Sequence, residues 1–200
     1  LALRGGAVAF VHTGESMAAD VLIAGRHIAA VTPPGALSAE ATKEVDVSGY
    51  HLLPGFIEAH IHIDYCLLPP GELARLILPL GTTALFADPN CPAYVFGRKG
   101  VELQANTDAP LRLFLQISSA IPAFPNLEQG GEELTSEDIL NLLDDGRTAC
   151  YGESNPYAVD DHVLGCLERA LANGRRITGH TARIDGPPLW GYLAGGVTDD

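Results

Sequence analysis

Short runs of β-favouring residues, separated by glycine and proline turns, fill the first 53 residues. The runs cover residues 8–11, 20–23, 27–31 and 44–47. The Gly25-Arg26 pair lies between two of these runs and favours a hairpin. We therefore predict an all-β module at residues 1–53, and we expect no catalytic group within it.

From residue 54 onward, β runs alternate with helical stretches. The runs end at intervals of 25, 31, 35 and 27 residues, near His62, Ala87, Ser118, Glu153 and His180. Each interval fits one strand and one helix, which predicts parallel strands in either an open doubly wound sheet or a (β/α)8 barrel. The polar strand ends favour the barrel, which we assign to residues 54–200.

Capping residues and apolar stripes predict two helices in the barrel segment. In the first, Thr135 and Asp138 form a capping pattern before an apolar stripe. In the second, Asp160 or Asp161 is the predicted cap and Gly174 the predicted stop. The two stripes comprise Ile139, Leu142 and Leu143, and Val163, Leu164, Leu167 and Leu171.

Charge and composition limit the classes of ligand that the chain is expected to bind. Twelve Lys and Arg residues oppose 25 Asp and Glu residues, which gives a net charge of −13. Because this charge repels phosphate backbones and anionic membrane surfaces, we expect neither nucleic acid nor a membrane as a partner. With 46% hydrophobic and 18% charged residues the chain can bury a core, and a small molecule is the expected ligand.

The cysteines and the uncharged segments indicate a cytoplasmic protein. Cys66, Cys91, Cys150 and Cys166 form no CxxC pair, and we predict reduced thiols. The longest uncharged stretch, residues 113–127, contains two prolines and is shorter than the roughly 20 residues of a bilayer-spanning helix. No signal peptide opens the sequence, and because it begins with Leu rather than Met, an earlier natural N-terminus is expected.

One predicted strand separates apolar from ionisable side chains. Because side chains alternate along a strand, positions 57, 59, 61 and 63 share an apolar face, opposite Glu58, His60, His62 and Asp64. Inside a barrel, we expect the apolar face to pack beneath the helices and the ionisable face to point inward, where its groups are costly to bury unless a cation organises them. Two imidazoles at i and i+2 converge on one point and suit a divalent metal. The alternative is a pair of solvated or hydrogen-bonded histidines.

Residues 53–63 (LPGFIEAHIHI) resemble the opening strand of the amidohydrolase superfamily, most closely its adenine deaminase branch. Residues 19–54 look like the small β-sandwich that precedes the barrel in this family. Further similarities follow in the family's order, at residues 81–84, 87–89, 118–123, 179–180 and 195–200. The resemblance covers nearly the whole chain. It implies a metal-dependent hydrolase with an α/β, TIM-like (β/α)8 barrel after a β-sandwich module.

The resemblance also implies four metal ligands. His60 and His62 match the histidine pair that holds a first ion, and Glu153 matches a carboxylate that bridges two ions. His180 matches a ligand of the second ion. One or two divalent ions of Mn, Fe or Zn are the implied cofactors. On its own, a Glu or His at a strand end is more often solvated or structural.

Asp88, at the end of the second barrel strand, has three interpretations. Its carboxylate could orient a ligand histidine, touch the substrate or cap the next helix. The remaining histidines are predicted to be structural or at the surface, namely His12, His27, His51 and His162.

The implied reaction is hydrolysis at a trigonal carbon bonded to nitrogen, by a water that the metal activates. For adenine, attack at C6 and loss of ammonia give hypoxanthine. The family's proton-transfer Asp follows the eighth strand, so we expect it beyond residue 200. A small heterocyclic molecule is the implied substrate, and self-association into a homo-oligomer is compatible with the resemblance.

Three local departures concern the substrate more than the metal. Residues 64–66 (DYC), 90–91 (NC) and 154–156 (SNP) differ from the adenine deaminase pattern. The main alternative is therefore an amidohydrolase that acts on another heterocyclic amine or on a cyclic amide, with dihydroorotase-like chemistry. A non-catalytic degenerate barrel is a further alternative, which the four retained ligand candidates oppose.

The length limits how much of a barrel these residues form. Of 200 residues, 200 − 53 = 147 remain after the β module, whereas a complete (β/α)8 unit takes about 250. We therefore predict five strands and the beginning of a sixth. The natural protein is expected to continue beyond Asp200 with the family's next metal-binding histidine.

Overall fold

A computed structural model describes residues 1–36, 40–118, 121–122, 127–156, 161–181 and 183–199. The chain divides into two compact units, Leu1–Pro54 and Gly55–Asp200. Some positions used in the sequence predictions lie outside the described residues, namely Ser119, Ala120, Ala123, Asp160 and Asp200.

The first unit is an all-β module, as predicted. Its strands form one five-stranded sheet in the order β3-β2-β1-β4, with β5 also paired to β1. The strands are β1 (Ala2–Phe10), β2 (Glu15–Ala24), β3 (His27–Thr32), β4 (Glu44–Asp46) and β5 (His51–Leu52).

The predicted hairpin joins β2 to β3, which pair antiparallel across the Gly25-Arg26 turn. Gly25 has a φ of 60°, a conformation that favours glycine in a two-residue turn. The first strand begins earlier than predicted, at Ala2, although Gly5 and Gly6 interrupt its β-favouring pattern. Pairing with β2 continues past a register shift between Leu3 and Gly6, so tertiary pairing outweighs the weak local preference.

A buried carboxylate ties this sheet to a turn. Asp20 accepts hydrogen bonds from the backbone N–H groups of Gly5 and Gly35, each at 2.9 Å, and from the Arg4 guanidinium at 3.3 Å. The two backbone donors are the main reason why the pKa of Asp20 lies below its usual value. The charged form of Asp20 therefore stabilises the folded module.

The second unit contains a six-stranded parallel sheet in the order β11-β10-β9-β8-β7-β6. The strands are β6 (Phe56–Ile61), β7 (Thr82–Ala87), β8 (Arg112–Ile117), β9 (Thr148–Ser154), β10 (Arg176–Gly179) and β11 (Val197–Asp199). The helices are α1 (Pro70–Ile77), α2 (Asn90–Phe96), α3 (Arg98–Ala105), α4 (Ser136–Asp144), α5 (Asp161–Ala172) and α6 (Gly186–Ala194). Short 3-10 turns cover Ile63–Cys66 and Leu78–Leu80.

The strand order decides between the two predicted architectures. Each strand lies beside the next one along the chain, from β6 to β11. A doubly wound sheet reverses its strand order at a switch point, whereas a (β/α)8 barrel adds its strands in sequence. The described sheet therefore has the barrel arrangement, and the predicted strand ends agree with the observed ones to within one residue.

The helices pack on the sheet through the predicted stripes, with one adjustment. Helix α4 begins with a complete capping box between Thr135 and Asp138, and its predicted stripe is buried. In α5 the buried stripe is Val163, Cys166, Leu167 and Ala170, while Leu164 and Leu171 are exposed. Positions 163, 166, 167 and 170 follow the helical period, so Cys and Ala take the inner places that were predicted for leucines.

The structure of β6 differs from the prediction at both ends of the segment, at Ile57 and at Asp64. It lies at the edge of the described sheet, and its Ile57 side chain is 62% exposed rather than packed beneath a helix. Ile63, on the same predicted face, is buried. Asp64 does not share the inward face of the strand, because the chain turns into the 3-10 helix after His62 and the Asp64 carboxylate accepts the Cys91 N–H at 3.0 Å.

Every helix in the described part of the chain falls short of the length and apolar character that crossing a bilayer requires. The four cysteines all lie among the described residues, and no disulfide joins any two of them.

We expect an Asp20→Asn variant to lose stability at pH 7, because a neutral amide accepts the two backbone N–H groups less strongly than a carboxylate does. The folded-state pKa of Asp20 is lowered, so its contribution is present above the unfolded pKa of about 3.9 and is lost as the pH falls further. Urea unfolding at pH 7 and pH 3 measures this change. The exposed Glu40→Gln variant is the control, and an Asp20→Asn deficit that is as large at pH 3 as at pH 7 would contradict the assignment.

The capping box of α4 gives a second stability prediction. Replacing Thr135 with Ala removes the hydroxyl that accepts the Asp138 N–H at 3.1 Å, and we expect a loss of about 1 kcal/mol. Thr135→Ser keeps the hydroxyl and is expected to stay within a few tenths of a kcal/mol of the parent. Urea denaturation of the three proteins checks this, and equal stability of the Ala and Ser variants would refute it.

Candidate metal centre

Four ionisable residues meet where the parallel strands end. His60 lies in β6 and His62 follows its last residue, while Glu153 is the penultimate residue of β9 and His180 comes directly after β10. Parallel strands place their carboxyl ends at the same edge of a sheet, which is where barrel enzymes build their sites. The structure thus brings together the four residues that the family resemblance implies as ligands.

Three imidazole side chains converge on one oxygen of the Glu153 carboxylate. The Nε2 atoms of His60, His62 and His180 lie 2.9, 3.0 and 3.0 Å from Glu153 Oε1. The Nε2 atoms of His60 and His62 are 3.3 Å apart. These positions hold three nitrogen donors and an oxygen donor around a single point.

A backbone carbonyl orients His62. Its Nδ1 atom lies 3.1 Å from the carbonyl oxygen of Asp88, which follows β7. Because a carbonyl oxygen only accepts hydrogen bonds, Nδ1 carries a proton, and Nε2 is the ring atom that offers a lone pair to the centre once the ring is neutral. Ligand histidines of metal sites are commonly held in this way.

The electrostatics of the centre favour a negative carboxylate. Burial alone would raise the pKa of Glu153, but hydrogen bonds from His60 and His62 outweigh it and hold that pKa well below its usual range. The hydrogen bond to Glu153 in turn raises the pKa of His62 to about 9, against the lowering effect of burial. Glu153 is therefore ionised at neutral pH, which is the state that a cation ligand requires.

Asp88 is fully buried, and the structure excludes one of its three interpretations. Its backbone carbonyl, rather than its carboxylate, holds His62. Pro89 is the N-cap position of α2 and no side chain caps that helix, so the capping interpretation is wrong. Burial raises the pKa of the Asp88 carboxyl well above its usual range, although His62 acts in the opposite direction.

The donor set fits a divalent metal ion. One ligand atom from each of His60, His62 and Glu153 lies within 4.8 Å of the others, and all three side chains are partly buried. Imidazole nitrogen with carboxylate oxygen suits Zn, Fe and Mn. Their assignment as metal ligands, with His180 beside them, stays a prediction.

Three residues beside the centre were not singled out as contacts from the sequence. The Tyr65 ring lies against His62 with a centroid distance of 5.0 Å and is exposed to solvent. Buried Gln116 donates from Nε2 to the carbonyl oxygen of Ala59 at 3.4 Å. Tyr192 on α6 hydrogen-bonds to the backbone next to two of the candidate ligands. A polar residue within the apolar run of β8 is a usable signal for Gln116, but local sequence carries none for Tyr192.

His12, His27 and His51 are exposed in the β module, as predicted. His162 is partly buried in the first turn of α5, where its Nδ1 lies 3.7 Å from the sulfur of Cys166.

Comparison with curated proteins finds adenine deaminases. Those of Halalkalibacterium halodurans and Moorella thermoacetica are 34% and 36% identical to the chain, covering 100% and 98% of it and 35% and 34% of the relatives. That of Deinococcus radiodurans is 36% identical over the whole chain and 38% of its own length. The chain thus spans about a third of the length of the curated relatives it matches. No family model matches it.

Solved structures share the fold at low sequence identity. A D-aminoacylase described as defining a novel subset of amidohydrolases has a TM-score of 0.65 and 19% identity, over 97% of this chain and 47% of its own. The 5-methylcytosine deaminase of Klebsiella pneumoniae has a TM-score of 0.57 and 15% identity, over 94% of this chain and 52% of its own. The L-hydantoinase of Arthrobacter aurescens has a TM-score of 0.63 and 17% identity, over 90% of this chain and 40% of its own. At these identities the likeness concerns the fold alone.

We expect the full-length protein to bind divalent metal through these residues. Glu153→Gln and His62→Ala variants should bind Zn²⁺ at least about 100-fold more weakly, since losing a direct ligand costs no less than losing an outer-shell partner. Titration of the chelator-treated protein with Zn²⁺ measures this. His27→Ala, which changes an exposed histidine outside the centre, should bind like the parent. If all four proteins bound Zn²⁺ equally, the centre would be ruled out as the binding site.

Proposed function

Because the chain is homologous to curated adenine deaminases and has the amidohydrolase fold, we propose that it forms the metal-binding part of a deaminase that converts adenine and water to hypoxanthine and ammonia. The observation that carries this proposal is the convergence of three imidazole Nε2 atoms on Glu153 Oε1. A barrel that served only as a scaffold has no need of these inward ionisable groups.

Each candidate ligand has a specific role in the proposal. His60 and His62 would hold a first ion, Glu153 would be shared between that ion and a second one, and His180 would help to hold the second. The short contacts of all three histidines to the same carboxylate support a shared metal centre, and the division between two ions is what the family resemblance implies. Zn, Fe and Mn remain the candidate metals, because imidazole and carboxylate suit all three.

When bound, one or two divalent ions supply Lewis-acid activation of water at neutral pH. The chain's own residues prepare that chemistry. The Asp88 carbonyl holds the proton of His62 on Nδ1 and so keeps Nε2 directed at the centre. Glu153 supplies the negative charge between the imidazoles. In the overall reaction the bond from C6 of adenine to the exocyclic nitrogen breaks and a bond from C6 to oxygen forms.

The substrate-facing surroundings support a second candidate. Tyr65 lies against His62, and the Asp64 carboxylate accepts the Cys91 N–H, so two of the segments that depart from the adenine deaminase pattern lie beside the centre. A different heterocyclic amine or a cyclic amide is therefore the alternative substrate. In either case the proposal includes a small heterocyclic partner, a cytoplasmic location and Asp88 as a residue that supports a ligand or faces the substrate.

An ammonia-release assay tests the reaction. We expect the full-length protein, loaded with Mn²⁺, Fe²⁺ or Zn²⁺, to release ammonia from adenine, and Glu153→Gln to lose at least about 1,000-fold in kcat/KM because the metal would lose its charged ligand. His27→Ala is the matched control and should retain parental activity.

The substrate panel decides between the candidates. Cytosine, hydantoin and dihydroorotate are assayed beside adenine, with product identified by chromatography. Turnover of adenine above the others supports the leading proposal. Turnover of a cyclic amide alone overturns it in favour of the second candidate, and no turnover of any compound by metal-loaded protein overturns both.

A further inference from the structure

A tyrosine hydroxyl joins the ends of the two strands that carry Glu153 and His180. Tyr192 lies on α6 and is 8% exposed. Its hydroxyl accepts the His180 backbone N–H at 3.1 Å and donates to the carbonyl oxygen of Ser154. Ser154 directly follows Glu153, so both hydrogen bonds reach the main chain at or beside a candidate ligand.

The same backbone atoms also contact each other. The His180 N–H lies 3.2 Å from the Ser154 carbonyl oxygen, which makes a closed group of the N–H, the carbonyl and the tyrosine hydroxyl. Because the hydroxyl both donates and accepts, it strengthens a single contact between β9 and β10 at the level of the centre.

A glycine makes room for this hydroxyl. A Cβ atom at Gly179 would lie 1.8 Å from the Tyr192 hydroxyl oxygen and 2.9 Å from the Ser154 carbonyl oxygen. Any side chain at position 179 would therefore displace the tyrosine or part the strands. At residues 179–180, the glycine thus leaves space for the Tyr192 hydroxyl and the histidine donates its backbone N–H to that hydroxyl.

His62 and His180 differ in how firmly their surroundings hold their side chains. The His62 side chain is 16% exposed and its Nδ1 bonds to the Asp88 carbonyl. The His180 side chain is 55% exposed, so packing restrains it less. The position of its main chain sets where the imidazole can lie relative to Glu153, and Tyr192 contacts that main chain.

We propose that Tyr192 is a positioning residue that fixes the separation of His180 and Glu153, and thereby determines the affinity of the second metal position. This inference rests on the metal centre proposed above. Tyr192 acts through the backbone of His180 and Ser154 and does not itself touch the metal or the substrate.

The test is a Co²⁺ titration of the metal-free, full-length protein, followed by calorimetry and by visible absorption. The parent is expected to bind two ions. Tyr192→Phe should weaken the second binding event about 10- to 100-fold and change the absorption of the second ion, as expected for losing an outer-shell partner. The first event, at His60 and His62, should change less than about threefold. Tyr94→Phe, which removes a tyrosine hydroxyl bonded to Glu128 at 2.6 Å, is the control.

Two further comparisons separate positioning from general stability. In a His180→Ala background, Tyr192→Phe should weaken Co²⁺ binding by less than it does in the parent, because one of the two groups whose separation it fixes is gone. Gly179→Ala should weaken the second event as Tyr192→Phe does, whereas Gly191→Ala, where an added Cβ meets nothing within 4 Å, should not. The glycine pair also decides the matter if Tyr192→Phe does not fold.

The outcomes distinguish this inference from the proposed function. If the parent binds two Co²⁺ ions and Tyr192→Phe binds them with the same affinities and spectrum, the role of Tyr192 is refuted while the metal centre stands. An additive loss in the His180→Ala background also refutes it, since the tyrosine then acts by another route. If the parent binds no Co²⁺, the metal centre itself is refuted, and the positioning role with it.

Discussion

The architecture of the centre depends on one electrostatic requirement, the stabilisation of the Glu153 carboxylate at the end of a parallel strand. The side chain is 20% exposed, and water alone does not solvate its charge fully. Three imidazoles from two other strand ends supply the compensating donors within 3.0 Å of one oxygen. Strands β6, β9 and β10 must therefore end at the same level, and the sequential parallel order of the sheet places them there.

The parts of the fold that could be predicted from the sequence are those set by local patterns. The strand ends at His62, Glu153 and His180 are recognisable because an apolar run gives way to a polar residue at a regular interval. The α4 cap is equally local, since Thr135 and Asp138 contact each other across one helical turn. In these places short-range chemistry and tertiary structure favour the same conformation.

The parts that could not be predicted depend on contacts distant in sequence. Alternation along β6 places Ile57 correctly on its face, but whether that face is covered depends on which strands and helices lie next to it. The period of α5 predicts a stripe but does not decide whether leucine or a smaller residue turns inward, as Cys166 does. Tyr192 lies twelve residues after His180 on an apolar helix, where its pattern is that of an ordinary core residue.

The supports of the centre come largely from the main chain, and this explains how its neighbours can differ from the adenine deaminase pattern. His62 is held by the carbonyl of Asp88, and His180 is joined to the carbonyl of Ser154. A carbonyl oxygen keeps its position whatever side chain its residue carries, provided that the strand end keeps its path. Differences at the ends of these strands, at positions 90–91 and 154–156, can therefore leave the four converging side chains in place. The convergence of these side chains thus depends on main-chain atoms, which a changed neighbouring side chain does not remove.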